Sequence, residues 1–167
     1  AARETGGIIT IEENNILGNF GNTTIELDLG NQASGEYTIN YHIFIIHTWD
    51  GHQVNNNDRF IFWINGAEYF NHTFSNHSNN PQSYPDGGNN PGYSGADLIT
   101  SVNLYGYEVS LAVYELNFTY SHGGGNLRLE FAGDGLQSLE DESWGIDNIL
   151  VTTNPNFIFT EGCMDPN

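Results

Sequence analysis

Thr24-Ile25-Glu26-Leu27-Asp28-Leu29 alternates polar and apolar residues, and far downstream Leu127-Arg128-Leu129-Glu130-Phe131 does the same. Successive side chains of an extended strand point to opposite faces, so each run has one apolar and one polar face. That is what an antiparallel strand with one wet side requires. Ile43-Phe44-Ile45-Ile46 is instead apolar on both faces and belongs in the middle of the structure. Outward from these anchors, strands are expected at 8–12, 23–29, 36–48, 59–64, 67–74, 108–120, 127–131, 146–152 and 157–160, separated by clusters of Gly, Asn, Asp and Ser. Asn65-Gly66 tolerates the positive φ angles of a type I′ turn, so 59–74 reads as a hairpin. Gly123-Gly124-Gly125 reads as a second hairpin turn, between Tyr120 and Leu127. No apolar period of 3.6 residues persists long enough for a substantial helix. The fold class is all-β, a single antiparallel sandwich or barrel domain.

Composition narrows the function. The 167 residues carry 21 acidic side chains against three arginines (Arg3, Arg59 and Arg128) and no lysine, for a formal charge of −18. Nucleic-acid binding needs clustered cations to displace counterions from phosphate, and this chain has none. An anionic membrane surface is disfavoured for the same reason, and no apolar stretch is long enough to span a bilayer. So much carboxylate is easier to hold folded when divalent cations neutralise part of it. Cys163 is the lone cysteine, so the core has no disulfide and any partner lies outside this sequence. The chain opens on Ala1 with no signal-like segment and reads as a processed or excised piece.

Four Asn-x-Ser/Thr triplets, at Asn22, Asn71, Asn76 and Asn117, fit an extracellular glycoprotein. An Asn-rich chain also produces such triplets by chance. Residues 75–97 form a long Asn-, Pro- and Gly-rich loop, a length usually tied to function or disorder. Tyr84 and Tyr93 within it would offer apolar faces and hydroxyls to a sugar, beside Asp86 and Asn90. A glycan-shielded spacer is the competing expectation. At the start, Gly6-Gly7-Ile8-Ile9-Thr10-Ile11 is β-prone behind a Gly pair. It would either close its own sandwich or complete a neighbour's sheet by strand addition. Residues 1–13 are accordingly set apart as a β-prone segment, 14–160 as the sandwich, and 161–167 as the start of a Cys-containing linker or repeat.

Two acidic clusters hold the chemistry. One runs from Trp49-Asp50-Gly51 through Asn55-Asn56-Asn57-Asp58, the other is Glu140-Asp141-Glu142-Ser143-Trp144-Gly145-Ile146-Asp147-Asn148-Ile149. Calcium takes six to eight oxygens from carboxylates, amides and carbonyls, which such turns supply. Solvated turn residues are the plain alternative. Asp147 and Asn148 precede an apolar strand end, where a buried carboxylate would need a cation or firm hydrogen bonds.

Residues 141–149 resemble the closing motif of lectin-like β-sandwich modules in large secreted bacterial and protist proteins, where a Trp-Gly-Ile/Leu-Asp-Asn strand follows an acidic turn. Trp49-Asp50-Gly51 resembles an earlier turn of the same modules. The likeness spans 37–151, but only these two motifs are sharp. It implies a jelly-roll or concanavalin-like sandwich, adhesive or carbohydrate-linked roles, and calcium at Asp50, Asp58, Glu142 and Asp147. The tail 161–167 looks like the start of a short Cys- and Asp-containing repeat of multidomain surface proteins in marine Bacteroidetes.

Catalytic patterns are weak. Glu140, Asp141, Glu142 and Asp147 follow one another along one strand and do not face each other across a cleft, as a glycosidase pair must. His47 and His52, like His72 and His77, are five apart and would point to opposite faces of an extended strand. Ser143 lacks the glycines of a nucleophile elbow, and the Gly123–Gly125 run lacks the lysine of a phosphate loop. The expectation is an extracellular, non-catalytic structural or adhesive module. It would be calcium-stabilised at Asp50, Asp58, Glu142, Asp147 and Asn148 and would partner other copies of itself or neighbouring domains. The alternative is a calcium-dependent lectin using Tyr84, Asp86, Asn90 and Tyr93.

Overall fold

The computed structural model describes residues 7–11, 14–53 and 56–153. Among them there is no helix. The strands are β1 (Gly7–Ile11), β2 (Asn14–Phe20), β3 (Thr24–Gln32), β4 (Gly35–His47), β5 (His52–Gln53), β6 (Asn56–Asn57), β7 (Arg59–Ile64), β8 (Ala67–Thr73), β9 (Leu98–Leu104), β10 (Tyr107–His122), β11 (Gly125–Asp134) and β12 (Glu142–Thr153). They form two main sheets, ordered β1-β2-β12-β4-β10-β9 and β3-β11-β7-β8, and every pairing is antiparallel. Within them, β2-β12-β4-β10 faces β3-β11-β7-β8, and the chain crosses between sheets at nearly every step. This is the winding of a jelly roll. β1 and β9 extend the first sheet at its two ends and touch each other, so that sheet curls almost closed.

The alternation along β4 explains both cores. Tyr37, Ile39, Tyr41, Ile43 and Ile45 point between the sheets, against Phe60, Phe62, Leu129 and Phe131. Phe44 and Ile46 point the other way, into the curl, with Ile9, Ile11, Ile16, Leu111 and Val113. The run that is apolar on both faces therefore sits at the centre because both of its faces are interior. The main core is aromatic: Tyr41 lies 5.2 Å from Phe62 and 5.0 Å from Phe131, ring to ring. Each such buried side chain stabilises the fold by roughly 1.5–3 kcal/mol relative to exposure.

The 59–74 hairpin forms as expected, with Asn65 at φ 47° and Gly66 at φ 80°. The Gly123–Gly125 hairpin does not. β10 pairs with β4 and β9, while β11 pairs with β3 and β7, so the glycines carry the chain from one sheet to the other. β2 and β9 are strands the sequence hides. Asn14, Asn15, Gly18 and Asn19 weaken the strand signal of β2. The turn joining β9 to β10 places Tyr105 at φ 56°, where Asn or Gly would have announced it. β1 pairs with β2 of its own chain and buries Ile9 and Ile11. The strand expected at 157–160 and Cys163 lie outside the described residues.

Candidate metal centre

The two motifs that stand apart in sequence meet in space. His47, the last residue of β4, lies opposite Glu142, the first of β12. Just beyond, Thr48 N donates to Asp141 O at 3.1 Å and Thr48 Oγ1 donates to Asp141 Oδ1 at 2.7 Å. Trp49 is fully buried, and its indole N–H donates to Ser143 O at 2.9 Å. Trp144, equally buried, donates to Gly21 O at 2.9 Å and packs its ring 4.8 Å from Phe20 and 5.3 Å from Phe60. Each tryptophan thus ties one acidic turn to the scaffold.

Between these turns, one carboxylate oxygen from each of Asp50, Asp58 and Glu142 falls within 4.8 Å of the others. Gly51 makes the turn possible: it sits at φ 72°, and any Cβ would strike the Pro81 carbonyl. The Gly51 carbonyl accepts Asp58 N–H at 3.0 Å, folding the chain back on itself. Asp58 and Glu142 are fully buried and Asp50 is half-buried. Their hydrogen bonds are incomplete. Asp58 Oδ2 accepts the Asp50 backbone N–H, but Asp58 Oδ1 is buried without a hydrogen-bond partner. Glu142 Oε2 accepts Gln137 N–H at 2.6 Å. Asp50 Oδ1 accepts Asn80 Nδ2 at 3.0 Å and lies 3.6 Å from His77 Nε2.

Burial pushes the Asp58 carboxyl up to about 6, and the charges of Asp50 and Asp141 add to this against the pull of the Asp50 N–H and of Glu142. Burial likewise raises Glu142 to about 7, partly offset by the Gln137 N–H and reinforced by Asp58, Asp141 and Asp50. Uncompensated carboxylates in so dry a site are costly unless a cation or a proton neutralises them. The donors are all hard oxygens, the chemistry of calcium or magnesium rather than of zinc or copper. Their spacing suits one ion with oxygens at 2.3–2.6 Å, the calcium range.

The remaining expected site residues fall elsewhere. Asp147 is five residues along β12 from Glu142, roughly 16 Å at strand rise, so the two cannot share an ion. Asp147 is half-buried opposite His42, and Asn148, exposed at φ 53° beside a bulge, meets His42 Nδ1 at 3.3 Å. Tyr84 and Tyr93 are not displayed on a loop tip. Tyr84 packs 5.1 Å from Phe74 and 5.3 Å from Tyr114, and the Tyr93 hydroxyl donates to Asn76 O. The long loop is pinned by fully buried Gln82, whose amide bonds Ser75 N, Tyr93 N, Tyr84 O and Ser94 O. Exposed Asp86 is satisfied locally by Gly88 N at 2.9 Å and Asn90 Nδ2 at 2.7 Å.

Among the triplets, Asn76 is buried and its amide donates to Ile45 O and His47 O, so it cannot accept a glycan in this fold. Asn22 bonds both Leu136 backbone groups, and Asn71 is half-buried between Arg59 and Glu68. Asn117 is exposed on β10. Gln82 carries no sequence signal beyond a common amide, and Asn76, legible in the sequence only as a glycosylation triplet, instead holds the site's surroundings from within. Comparison with protein-family models, curated proteins and solved structures gives no match, so the site is read from its own geometry.

Proposed function

We propose that this chain is an extracellular, non-catalytic structural or adhesive module whose jelly roll is clamped at one end by calcium between Asp50, Asp58 and Glu142. The observation that carries this reading is buried Asp58, whose Oδ1 has no hydrogen-bond partner and one of whose carboxylate oxygens lies within 4.8 Å of oxygens of Asp50 and Glu142. The charge of −18 and the exposed Asn117 triplet support an extracellular setting. Full burial of Asp58 and Glu142 argues against catalysis, because no substrate reaches them. It also argues for an ion that holds the fold rather than one that bridges to a ligand. Contact with other copies or neighbouring domains would use the apolar side chains that β1 and β9 leave exposed, Ile8, Leu98 and Ile99.

Melting in millimolar calcium and in excess chelator tests the clamp. An ion at a hundred times its Kd stabilises by about 2.7 kcal/mol, which for a domain of this size raises Tm by about 5–10 °C. Equal melting temperatures in the two conditions would overturn the proposal. Light scattering on the same samples reads assembly: large particles in calcium that dissolve in chelator place the ion in the contact between copies.

A further inference from the structure

Beside the clamp, an open groove of about 640 Å³ runs between the outer face of β7 and β8 and the loop that follows them. It is lined mainly by polar groups, among them His52, Arg59, Glu68, Asn71 and Asn89. The loop wall is fixed in place. Ser83 Oγ accepts Thr73 N–H and Ser83 N–H donates to Thr73 Oγ1, both at 2.8 Å, while His52 Nδ1 meets that same hydroxyl at 3.0 Å.

Arg59 is out of keeping with the rest of the molecule. Of the three arginines, Arg128 is ion-paired with Glu26 and Glu130, and Arg3 is outside the described residues. Arg59 Nη1 donates to Asn71 Oδ1 at 3.2 Å and, among the described residues, has no carboxylate within salt-bridge distance. Two carboxylates neighbour it without an ion pair: Asn71 Nδ2 donates to Glu68 Oε2 at 3.2 Å, so one amide separates the guanidinium from that acid, and exposed Asp134 stands opposite Arg59 on β11. In a chain of net charge −18, a half-buried guanidinium facing a preformed polar groove with its fork still open matches a planar anion.

We infer that this groove binds a glycan bearing a uronate carboxylate, with Arg59 pairing the carboxylate and Glu68, Asn71 and Asn89 hydrogen-bonding the ring hydroxyls. A single guanidinium offsets a single carboxylate. A polysulfated or phosphorylated chain would need several permanent cations, and among the described residues lining this groove Arg59 is the only arginine and there is no lysine. Half-buried Trp63 lies on the same outer face of β7, four residues on, where a sugar ring further along the chain would stack. The inference does not rest on the calcium clamp, because Asp58 and Arg59 are consecutive in the chain and point to opposite sides. Nor does it reuse Tyr84 and Tyr93, which pack inward.

Calorimetric titration of protein made in a host without N-glycosylation, so that Asn71 is free, provides the test. The probes are hyaluronan and galacturonate tetrasaccharides, each with a counterpart whose carboxylates are reduced to alcohols. At least one uronate probe is expected to bind, with its reduced counterpart at least tenfold weaker. Arg59→Gln should weaken the uronate at least tenfold with unchanged melting, and Glu68→Gln should tighten it severalfold by removing a like charge. Absence of binding by both uronate probes, or equal affinity for uronate and reduced sugar, overturns the inference. So does an Arg59→Gln protein that melts normally and binds as well as the parent. Calcium-dependent melting, measured separately on the same samples, reports on the clamp alone.

Discussion

Glu142 and Asp147 belong to one nine-residue motif on one strand, yet they live in different chemistry. Glu142 opens β12 fully buried, facing Asp50 and Asp58 across the end of the sandwich. Asp147 is five residues further on, half-buried beside His42 on the sheet's other side. The difference comes from the pleat and the rise of a strand, which alternate side chains between faces and carry them roughly 16 Å apart. An acidic motif is therefore not one site. Only the residues that a second chain segment meets are held where a cation can gather them.

Glu142→Gln tests the buried end most severely. The calcium-dependent increment in stability should vanish, a loss of about 2.7 kcal/mol at a hundred times the parent's Kd. In chelator at pH 8 the variant should be at least as stable as the parent, because an amide carries no charge to bury. If calcium still raised its Tm as in the parent, Glu142 would not be a ligand.

Protons offer a gentler probe of the same end. Asp58 and Glu142 titrate near 6 and 7 when folded, above the usual carboxyl values near 4. Between those limits the folded protein binds more protons than the unfolded chain, so stability falls as pH rises. In chelator, denaturant midpoints should thus increase from pH 7.5 down to about 4.5. In saturating calcium, which holds both groups deprotonated, that trend should flatten or reverse. A chelated protein whose stability fell steadily over that range would show that these carboxyls are not raised.

The smallest effect should come at the other end of the motif. Asp147→Asn should change stability by no more than about 0.5 kcal/mol and leave the calcium increment intact, as for an ordinary partly exposed position. A loss approaching that of Glu142→Gln would erase the contrast between the two ends.

Much of the architecture was legible because strand signals are local. Alternation in 24–29 and 127–131, the doubly apolar 43–46 and the Asn65-Gly66 turn each report on neighbouring residues, and each is found as read. β2 was hidden because its Asn- and Gly-containing stretch forms a strand only by pairing with stronger neighbours, and β9 because the turn that joins it to β10 carries Tyr105 at a positive φ. The Gly123–Gly125 run was misread because three glycines permit a turn without saying which sheet the next strand joins. Asp50, Asp58 and Glu142 were all legible as candidate ligands, but Asp147 and Asn148 were equally so by type.

What the sequence by itself determined was the all-β class, the central strand, the acidity and the identity of the two acidic turns. Tertiary structure decided which carboxylates converge, that Tyr84 and Tyr93 turn inward, that Asn76 is a buried strut and that Arg59 faces a groove without an ion-pair partner among the described residues. Residue type and spacing set the local chemistry. Asp58 and Glu142 are more than eighty residues apart and meet because β12 pairs with β4 while Asp58 is hydrogen-bonded back to Gly51 just beyond β4, and no local pattern encodes that.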